Sequence, residues 1–341
     1  MINFADATYY EPWYVQILKA VVIFAVALQM VPLVLLAERK LLGRLQGRYG
    51  PNRVGPFGAM QPLADILKLL TKEQFRPHTS IGWLFVLAPV ISIVTAVAAF
   101  AIIPFGDTQD IFGTEVGLYG IDVTIGPLYL FAMGAIAFYG IMLGGWASGS
   151  KYSFLGSMRA AAQLISYEVS QGLALVGVVM TAGTLSLTEI VEAQEGMWYF
   201  IPQFVGFIIF LTASFAETNR APFDLTEADA ELVGGYNTEY GGGRFASYYF
   251  AEYLNMLVVS GIVVTVFFGG WLLPFGIEGP GWTQPFVVLG KMLFFIFFFI
   301  WVRATLPRLR YDQLMTLGWK ILLPLATINA LVTAILVVTL D

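Results

Sequence analysis

Long apolar segments alternate with short polar connections along almost the whole chain of 341 residues. An α-helix needs about 20 mostly apolar residues to cross the hydrocarbon core of a bilayer. The pattern predicts eight such spans, at residues 13–37, 81–103, 124–146, 160–182, 198–216, 249–275, 284–303 and 317–340. We therefore predict an all-α polytopic membrane protein with eight transmembrane helices and a single membrane domain over residues 1–341.

A shorter helical pattern follows the first span and the turn-forming sequence GPNRVGPFG. Between about residues 59 and 72, polar side chains recur on one helical face and apolar side chains on the other. The polar face holds Gln61, Asp65, Lys68 and Lys72. A helix of about 14 residues is too short to span a bilayer, so we predict an amphipathic helix that lies in the membrane interface. It either anchors the loop to the membrane surface or forms one wall of an entrance for an amphiphilic substrate.

Basic residues are distributed very unevenly between the two sets of connections. The connections after spans one, three, five and seven carry fifteen Lys and Arg residues, whereas the opposite connections and both termini carry none. Lys19, Lys291 and Lys320 fall inside spans, near their ends. Because cytoplasmic loops are enriched in Lys and Arg, we predict that both termini lie on the outer, periplasmic side of a bacterial inner membrane. A mitochondrial inner membrane is the alternative location.

Composition supports a membrane protein and restricts its redox chemistry. Hydrophobic residues make up 58% of the chain and charged residues 12%, against about a quarter charged in an average soluble domain. The chain contains no cysteine, so it supplies no thiolate to an iron–sulfur cluster or a zinc site. Its single histidine, His78, cannot form a bis-histidine haem site without a partner chain. We therefore predict that this chain holds no cofactor or metal and that any redox centre belongs to another protein.

Four of the predicted spans each bring one carboxylate into the cytoplasmic half of the membrane domain. Glu38, Glu217 and Glu252 lie at the ends of spans one, five and six, where Glu38 and Glu252 also fit ordinary solvated helix ends. Glu168 lies eight residues into the fourth span, about 12 Å along the helix at 1.5 Å per residue. An ionised acid at the bilayer centre costs about 3 kcal/mol. We therefore expect Glu168 to face protein or water and to exchange protons.

The predicted cytoplasmic loop between the fifth and sixth spans, residues 217–248, is strongly acidic. It begins ETNRAPFDLTEADAELVGGYNTEY, in which Arg220 is the single basic residue. The six carboxylates of this stretch are Glu217, Asp224, Glu227, Asp229, Glu231 and Glu239. Asp224 and Glu227 have the spacing of a capping box, which explains two of the six. Carboxylates so close together are expected to titrate as a coupled set, as a proton relay requires.

Five long motifs extend over essentially the whole chain. They are AERKLLG, GPNRVGPFGAMQPLADILKLLTKE, GWASGSKYSFLGSMRAAAQLISYEV, ETNRAPFDLTEADAELVGGYNTEY and WVRATLPRLRYDQLM. These motifs resemble the quinone-site membrane subunit of respiratory complex I, which is the H-type subunit of bacteria and subunit 1 of mitochondria. One position departs from that family, because Asp229 stands where the family usually has Glu and carries its carboxylate on a shorter stem.

The resemblance implies a subunit of the proton-pumping NADH–quinone oxidoreductase, a translocase. Such a subunit forms the membrane entrance and part of the tunnel for a quinone, either ubiquinone or menaquinone, and couples quinone reduction to proton translocation. The iron–sulfur clusters and FMN are then expected in partner subunits. The implied partners are quinone and lipid, the soluble quinone-site and terminal iron–sulfur subunits of the peripheral arm, and small and antiporter-like membrane subunits. Nucleic acid is not among them.

The resemblance also assigns roles to individual residues. By similarity, the basic residues of the quinone tunnel fall on Arg39, Arg159, Arg220, Arg303 and Arg308. The chain of proton-relay and coupling acids falls on Glu38, Glu168, Glu217, Asp224, Glu227, Asp229, Glu231, Glu239 and Glu252.

Three other functions are compatible with parts of the pattern. The equivalent subunit of a membrane-bound hydrogenase or of a ferredoxin-linked complex is similar, although the ETNRxPFDLxE motif favours the quinone-reducing branch. A secondary transporter would also have intramembrane acids, but transporters commonly contain internal repeats and none is evident here. A stand-alone quinone enzyme is disfavoured because no set of residues in the chain is suited to hold a redox centre.

Overall fold

The computed structural model describes residues 12–111, 114–224, 235–274 and 280–340, and most of this part of the chain is helical. The helices, numbered here in chain order, are α1 (Trp13–Leu45), α2 (Gln61–Thr71), α3 (Gly82–Phe100), α4 (Gly126–Ala147), α5 (Lys151–Ala182), α6 (Leu187–Glu192), α7 (Phe204–Glu217), α8 (Gly242–Phe267), α9 (Gln284–Thr305), α10 (Tyr311–Thr316) and α11 (Leu323–Leu340). A π-helical turn, Leu317–Leu322, joins α10 to α11.

Seven helical segments in the described ranges are long and apolar enough to cross a membrane. They correspond to α1, α3, α4, α5, α8, α9 and the continuous helix Tyr311–Thr339. The predicted fifth span, 198–216, corresponds to α7, which is apolar but has only 14 residues. At 1.5 Å per residue it is about 21 Å long, shorter than a hydrocarbon core of about 30 Å. The protein is therefore a membrane protein with at least seven candidate spans, and the prediction of eight needs α7.

The prediction of an all-α fold is wrong for one segment between α3 and α4. Strands β1 (Pro104–Ile111) and β2 (Thr114–Tyr119) form an antiparallel hairpin, in which Gln109 is paired with Val116 and Asp110 with Glu115. The sequence pattern was searched for apolar runs of membrane length, and a short hairpin with alternating polar side chains contains none.

Three predicted boundaries also differ, because hydropathy marks where apolar residues stop and not where the helix stops. Helix α1 continues beyond residue 37 to Leu45, and α5 begins at Lys151 instead of 160. Glu168 is therefore near the middle of a 32-residue helix, deeper than the eight residues predicted. Helix α8 covers Gly242–Phe267 instead of 249–275. It ends before Gly269 and Gly270, whose positive φ angles of 65° and 46° are readily adopted by glycine.

Helix α8 forms the centre of the bundle. Most of its residues are buried, and residues 256–267 are buried without interruption. Helices α1, α3, α7 and α9 pack against it, and α2 contacts its N-terminal part. The charged residues near the start of α8 are therefore placed inside a ring of helices, away from the surface of the bundle.

Candidate functional site

Four charged residues meet at the end of the bundle that contains α2. The Arg220 Nη1 atom donates hydrogen bonds to both carboxylate oxygens of Glu38, at 2.9 and 3.2 Å. Its Nε atom lies 3.0 Å from Glu252 Oε1. Arg303 donates a hydrogen bond to the same Glu38 oxygen from the opposite side. We refer to Glu38, Arg220, Glu252 and Arg303 as the charged cluster.

The charged cluster is shielded from solvent at its centre. Glu38 is 2% exposed and Arg220 is 4% exposed. The ring of Tyr253 covers the Arg220 guanidinium at 4.3 Å, and its hydroxyl hydrogen-bonds to Glu38. Burial alone would lower the pKa of Arg220, but the carboxylates of Glu252 and Glu38 raise it above its ordinary value. Arg220 is therefore a fixed positive charge between two acids.

The loop after α7 positions Arg220. Asn219 adopts a left-handed conformation with φ of 50°, and the backbone N–H of Arg220 donates to the carbonyl of Phe215 at 3.2 Å. Gln163 of α5 binds this loop, because its Nε2 atom donates to the carbonyls of Ala216 and Phe223 at 2.8 and 2.9 Å. The amide of Gln163 therefore holds the turn that directs Arg220 towards α1.

A second pair of acids lies deeper in the bundle. The Gln171 Nε2 atom donates to Glu217 Oε2 at 2.7 Å. Glu168, one helical turn before Gln171 on α5, is partly buried in the same region. The remaining Glu217 oxygen and one Glu168 oxygen both face the backbone of Gly134 in α4. The acids at 168 and 217, predicted on separate spans, are therefore neighbours.

A cavity of about 70 Å³ lies between the charged cluster and the second pair of acids. Both Glu217 and Glu252 line it, together with polar side chains that include Thr95 and Asn255. A water molecule needs about 10–15 Å³ measured in this way, so the cavity has room for several waters with polar neighbours. It connects the two groups of acids through a space that is suited to water.

The other predicted arginines lie around the same end of the protein. Arg39 forms an ion pair with Asp65, which joins α1 to α2. Arg308 Nη2 lies 2.9 Å from Asp224 Oδ2, and both side chains are partly exposed. Arg159 lies with its guanidinium carbon 6.0 Å from the centre of the Tyr311 ring. These three residues do not join the charged cluster; they are distributed over the surface that surrounds it.

The structure therefore brings together five of the predicted site residues in two groups linked by one cavity, and Arg303 joins the first group. Glu239 is partly buried near the start of α8 and belongs to neither group. Glu227, Asp229 and Glu231 lie outside the described residues, so the predicted coupling set is placed only at Asp224 and Glu239. Across the described ranges, no group of three or more His, Cys, Asp or Glu side chains is arranged to hold a metal ion.

Four residues of the site were not predicted from the sequence. They are Gln163, Gln171, Tyr253 and Asn255. The spacing of Gln171, three residues after Glu168, places both on one helical face and was an available signal. Tyr253 follows Glu252 directly, and only the packing of α8 against α1 shows that its ring covers Arg220.

Comparison with known proteins gives a consistent result. Residues 18–334 match the family described as NADH dehydrogenase. Three similar proteins are H-type subunits of NADH-quinone oxidoreductases. The first of the two from Geobacter metallireducens is 53% identical over 320 residues, covering 94% of this chain and 95% of the relative. The second of those from Geobacter sulfurreducens is 54% identical over 316 residues, covering 92% and 94%. The one from Syntrophotalea carbinolica is 51% identical over 318 residues, covering 93% and 94%.

Proposed function

This chain belongs to the NADH dehydrogenase family, and we propose that it acts as the H-type membrane subunit of a proton-pumping NADH–quinone oxidoreductase. In this proposal it forms the membrane entrance and part of the tunnel for a quinone, and it couples quinone reduction to proton translocation. Partner subunits carry the FMN and the iron–sulfur clusters, which agrees with a chain that has no cysteine. The headgroup of the quinone is reduced in those partners.

The observation that carries the proposal is the linked arrangement of buried charges. Glu38 and Glu252 flank Arg220, Glu252 lines the cavity, and Glu217 lines its other side. Isolated charges inside a membrane protein are costly and mark ion or proton pathways. A set of acids that extends from the end of one helix to the middle of another supports proton transfer more directly than a role in stability.

The coupling step is electrostatic. Reduction of a quinone near the α2 end adds negative charge and draws protons towards it. A unit charge that appears about 10 Å from a carboxylate changes its energy by about 1.7 kcal/mol at an effective dielectric constant of about 20. Asp224, held by Arg308, and the acids that follow it respond first. The charged cluster and the Glu217–Glu168 pair then transfer the change towards the other membrane subunits.

The basic residues around the α2 end are suited to the quinone entrance. Helix α2 has exposed apolar side chains, including Leu63, Leu67 and Leu70, and is connected to α1 by the Arg39–Asp65 ion pair. We propose that α2 lies in the membrane interface and that α7 completes eight spans, with both termini on the outer side. The quinone tail then enters between α1 and α2, past Arg39.

The first test is purification of the protein from its native membrane in mild detergent, with identification of the co-purifying chains by mass spectrometry and an inhibitor-sensitive quinone reductase assay. We expect iron–sulfur, FMN and antiporter-like subunits together with activity. A complex with hydrogenase or ferredoxin activity in place of quinone reduction would assign the chain to that branch. A lone polypeptide without reductase activity would contradict the proposal and favour a transporter.

The second test is Glu168→Gln in the purified complex. We expect proton pumping coupled to quinone reduction to fall at least tenfold while the complex still assembles, because the neutral amide cannot exchange a proton. Glu192→Gln, which changes an exposed acid at the opposite end of the bundle, is the matched control and should behave as wild type. Normal coupled turnover in Glu168→Gln would remove Glu168 from the relay.

A further inference from the structure

Gly134 lies near the middle of α4 and faces both acids of the second pair. A Cβ atom at this position would lie 3.8 Å from Glu217 Oε1 and 3.9 Å from Glu168 Oε1. No other atom would approach it more closely. Gln171 holds the other Glu217 oxygen, so Oε1 is the one directed towards the glycine. One position of α4 therefore separates the two carboxylates.

Close packing explains three other glycines of α4 but not Gly134. A Cβ at Gly140 would lie 2.3 Å from Ser92 Oγ, and one at Gly144 would lie 2.1 Å from Tyr248 Oη. A Cβ at Gly145 would lie 2.3 Å from Ser157 Oγ. These three let neighbouring side chains approach the helix. Glycine destabilises a helix interior relative to alanine, and at Gly134 no close neighbour requires it.

The space beside Gly134 is continuous with the cavity of about 70 Å³, because Gly134 and Glu217 both line that cavity. Polar groups that face each other over more than about 3.5 Å are commonly bridged by water. A water hydrogen bond has a length of about 2.8 Å, so one or two waters at Gly134 would reach both carboxylates. An alanine methyl group in the same place would be in van der Waals contact with both oxygens and would occupy this space.

We propose that the missing side chain at Gly134 forms a notch that holds one or two water molecules between Glu217 and Glu168, and that this water carries the proton between them. This inference rests on the relay role of the two acids in the proposed function. The protonated carboxyl of Glu217 donates its proton to the water, and the water releases a different proton to the carboxylate of Glu168. The two acids exchange protonation states, and no atoms or electrons are otherwise gained or lost.

The test uses three variants of the intact purified complex. Gly134→Ala should fill the notch and lower the number of protons pumped per electron at least fivefold, with assembly unchanged. Gly134→Ser places a hydroxyl where the water would be and should restore more than half of the pumping ratio. Gly172→Ala is the matched control, because its added Cβ would meet only the ring of Phe131, at 3.7 Å, and should leave the ratio unchanged.

An infrared difference spectrum of the same preparations gives a readout that does not depend on turnover. The carboxyl band of Glu217, identified by its loss in Glu217→Gln, should shift in Gly134→Ala and not in Gly172→Ala. Unchanged pumping and an unshifted band in Gly134→Ala would overturn the notch. Equal losses in the alanine and serine variants, with no shift of the band, would also overturn it, because they would indicate a steric defect.

Failure of the notch and failure of the proposed function are distinguishable. A wild-type complex that does not couple quinone reduction to pumping contradicts the function, while the band shift still tests whether water at Gly134 contacts Glu217. A coupled wild-type complex with an unaffected Gly134→Ala variant contradicts only the notch.

Discussion

Gln194 and Glu38 are both almost completely buried polar residues, and they lie towards opposite ends of helix α8. The Gln194 Nε2 atom donates to the carbonyls of Ile190 and Thr265 at 3.0 and 2.9 Å. Its Oε1 atom accepts hydrogen bonds from the N–H groups of Tyr199 and Gly269 at 3.2 and 3.0 Å. All four hydrogen-bonding positions of this neutral amide are therefore used by backbone.

Glu38 is held by charge instead. It accepts hydrogen bonds from the guanidinium groups of Arg220 and Arg303, and Glu252 balances the second positive charge. In the described part of the chain, Arg220 Nη2 has no hydrogen-bond partner, although it is buried. A satisfied neutral network stabilises one conformation, whereas ion pairs that are incompletely satisfied are weak contributors to stability. The comparison indicates that Gln194 fixes the fold and that Glu38 serves the relay.

The largest effect on stability is expected for Glu38→Gln. The amide keeps the shape of the side chain but leaves Arg220 buried without its main counterion, which costs about 3–5 kcal/mol. Thermal unfolding of the purified protein, followed by tryptophan fluorescence, measures the loss. Adding Arg303→Gln should recover part of it, because one excess charge is removed. A loss below about 1 kcal/mol would show that the charged cluster is not a coupled unit.

Gln194→Leu should have the next largest effect. It leaves the N–H groups of Tyr199 and Gly269 without their acceptor, and each unsatisfied buried group costs about 1 kcal/mol or more, so we expect a loss of about 2–3 kcal/mol. The number of protons pumped per electron should stay at the wild-type value in whatever complex assembles. A lower ratio would break the comparison, because it would give the neutral end a role in coupling.

Tyr240 tests a neutral buried group near the charged end. Its ring stacks on Phe85 at 4.1 Å, and its hydroxyl donates to the carbonyl of Gly144 at 3.2 Å. Burial raises the pKa of Tyr240 to about 12, from an ordinary value of about 10. The proton is bound more tightly in the folded protein, so this stability is complete below about pH 10 and is lost as the pH rises towards about 12.

Wild-type protein should therefore lose about 2 kcal/mol more than Tyr240→Phe between about pH 9 and pH 12. Denaturant unfolding at each pH measures the difference. Tyr139→Phe, which changes an exposed tyrosine, is the control. Identical pH profiles for wild type and Tyr240→Phe would show that the phenol is solvated in the folded protein.

The smallest effect is expected for Arg308→Gln. Arg308 and Asp224 have side-chain exposures of 39% and 18%, and solvent-exposed ion pairs contribute about 0–1 kcal/mol. Unfolding should therefore change by less than about 1 kcal/mol, whereas quinone reductase activity should decrease, because the proposed role of this pair lies in the response to quinone. A loss of stability similar to that of Glu38→Gln would show that the pair is part of the charged cluster.

Much of the fold was accessible from the sequence. The positions of the apolar helices followed from hydropathy, and a helix was correctly expected near residues 61–71. The hairpin over Pro104–Tyr119 was missed, because hydropathy does not detect short strands with alternating polar residues. The depth of Glu168 was underestimated, since polar residues at the start of α5 continue the helix beyond its apolar part.

The site was predictable in its members but not in its geometry. The motifs indicated Glu38, Arg220, Glu252 and Arg303 as functional residues, and the structure groups them together. The motifs did not indicate that Arg39, Arg159 and Arg308 lie apart from this group. They also did not distinguish Gly134 from the other glycines of α4, because the difference depends on which side chains face each one.

The sequence by itself determined the membrane character of the protein, its family and the identity of its buried charges. These properties depend on local composition and motif spacing, which a linear chain displays directly. Only the tertiary structure decided which charges meet. Arg303 reaches Glu38 across 265 positions and Arg220 reaches it across 182, and no local rule relates such residues. Their contacts arise because burial of the apolar faces of α1, α8 and α9 fixes how the helices pack, and the charged groups then pair within the space that this packing leaves.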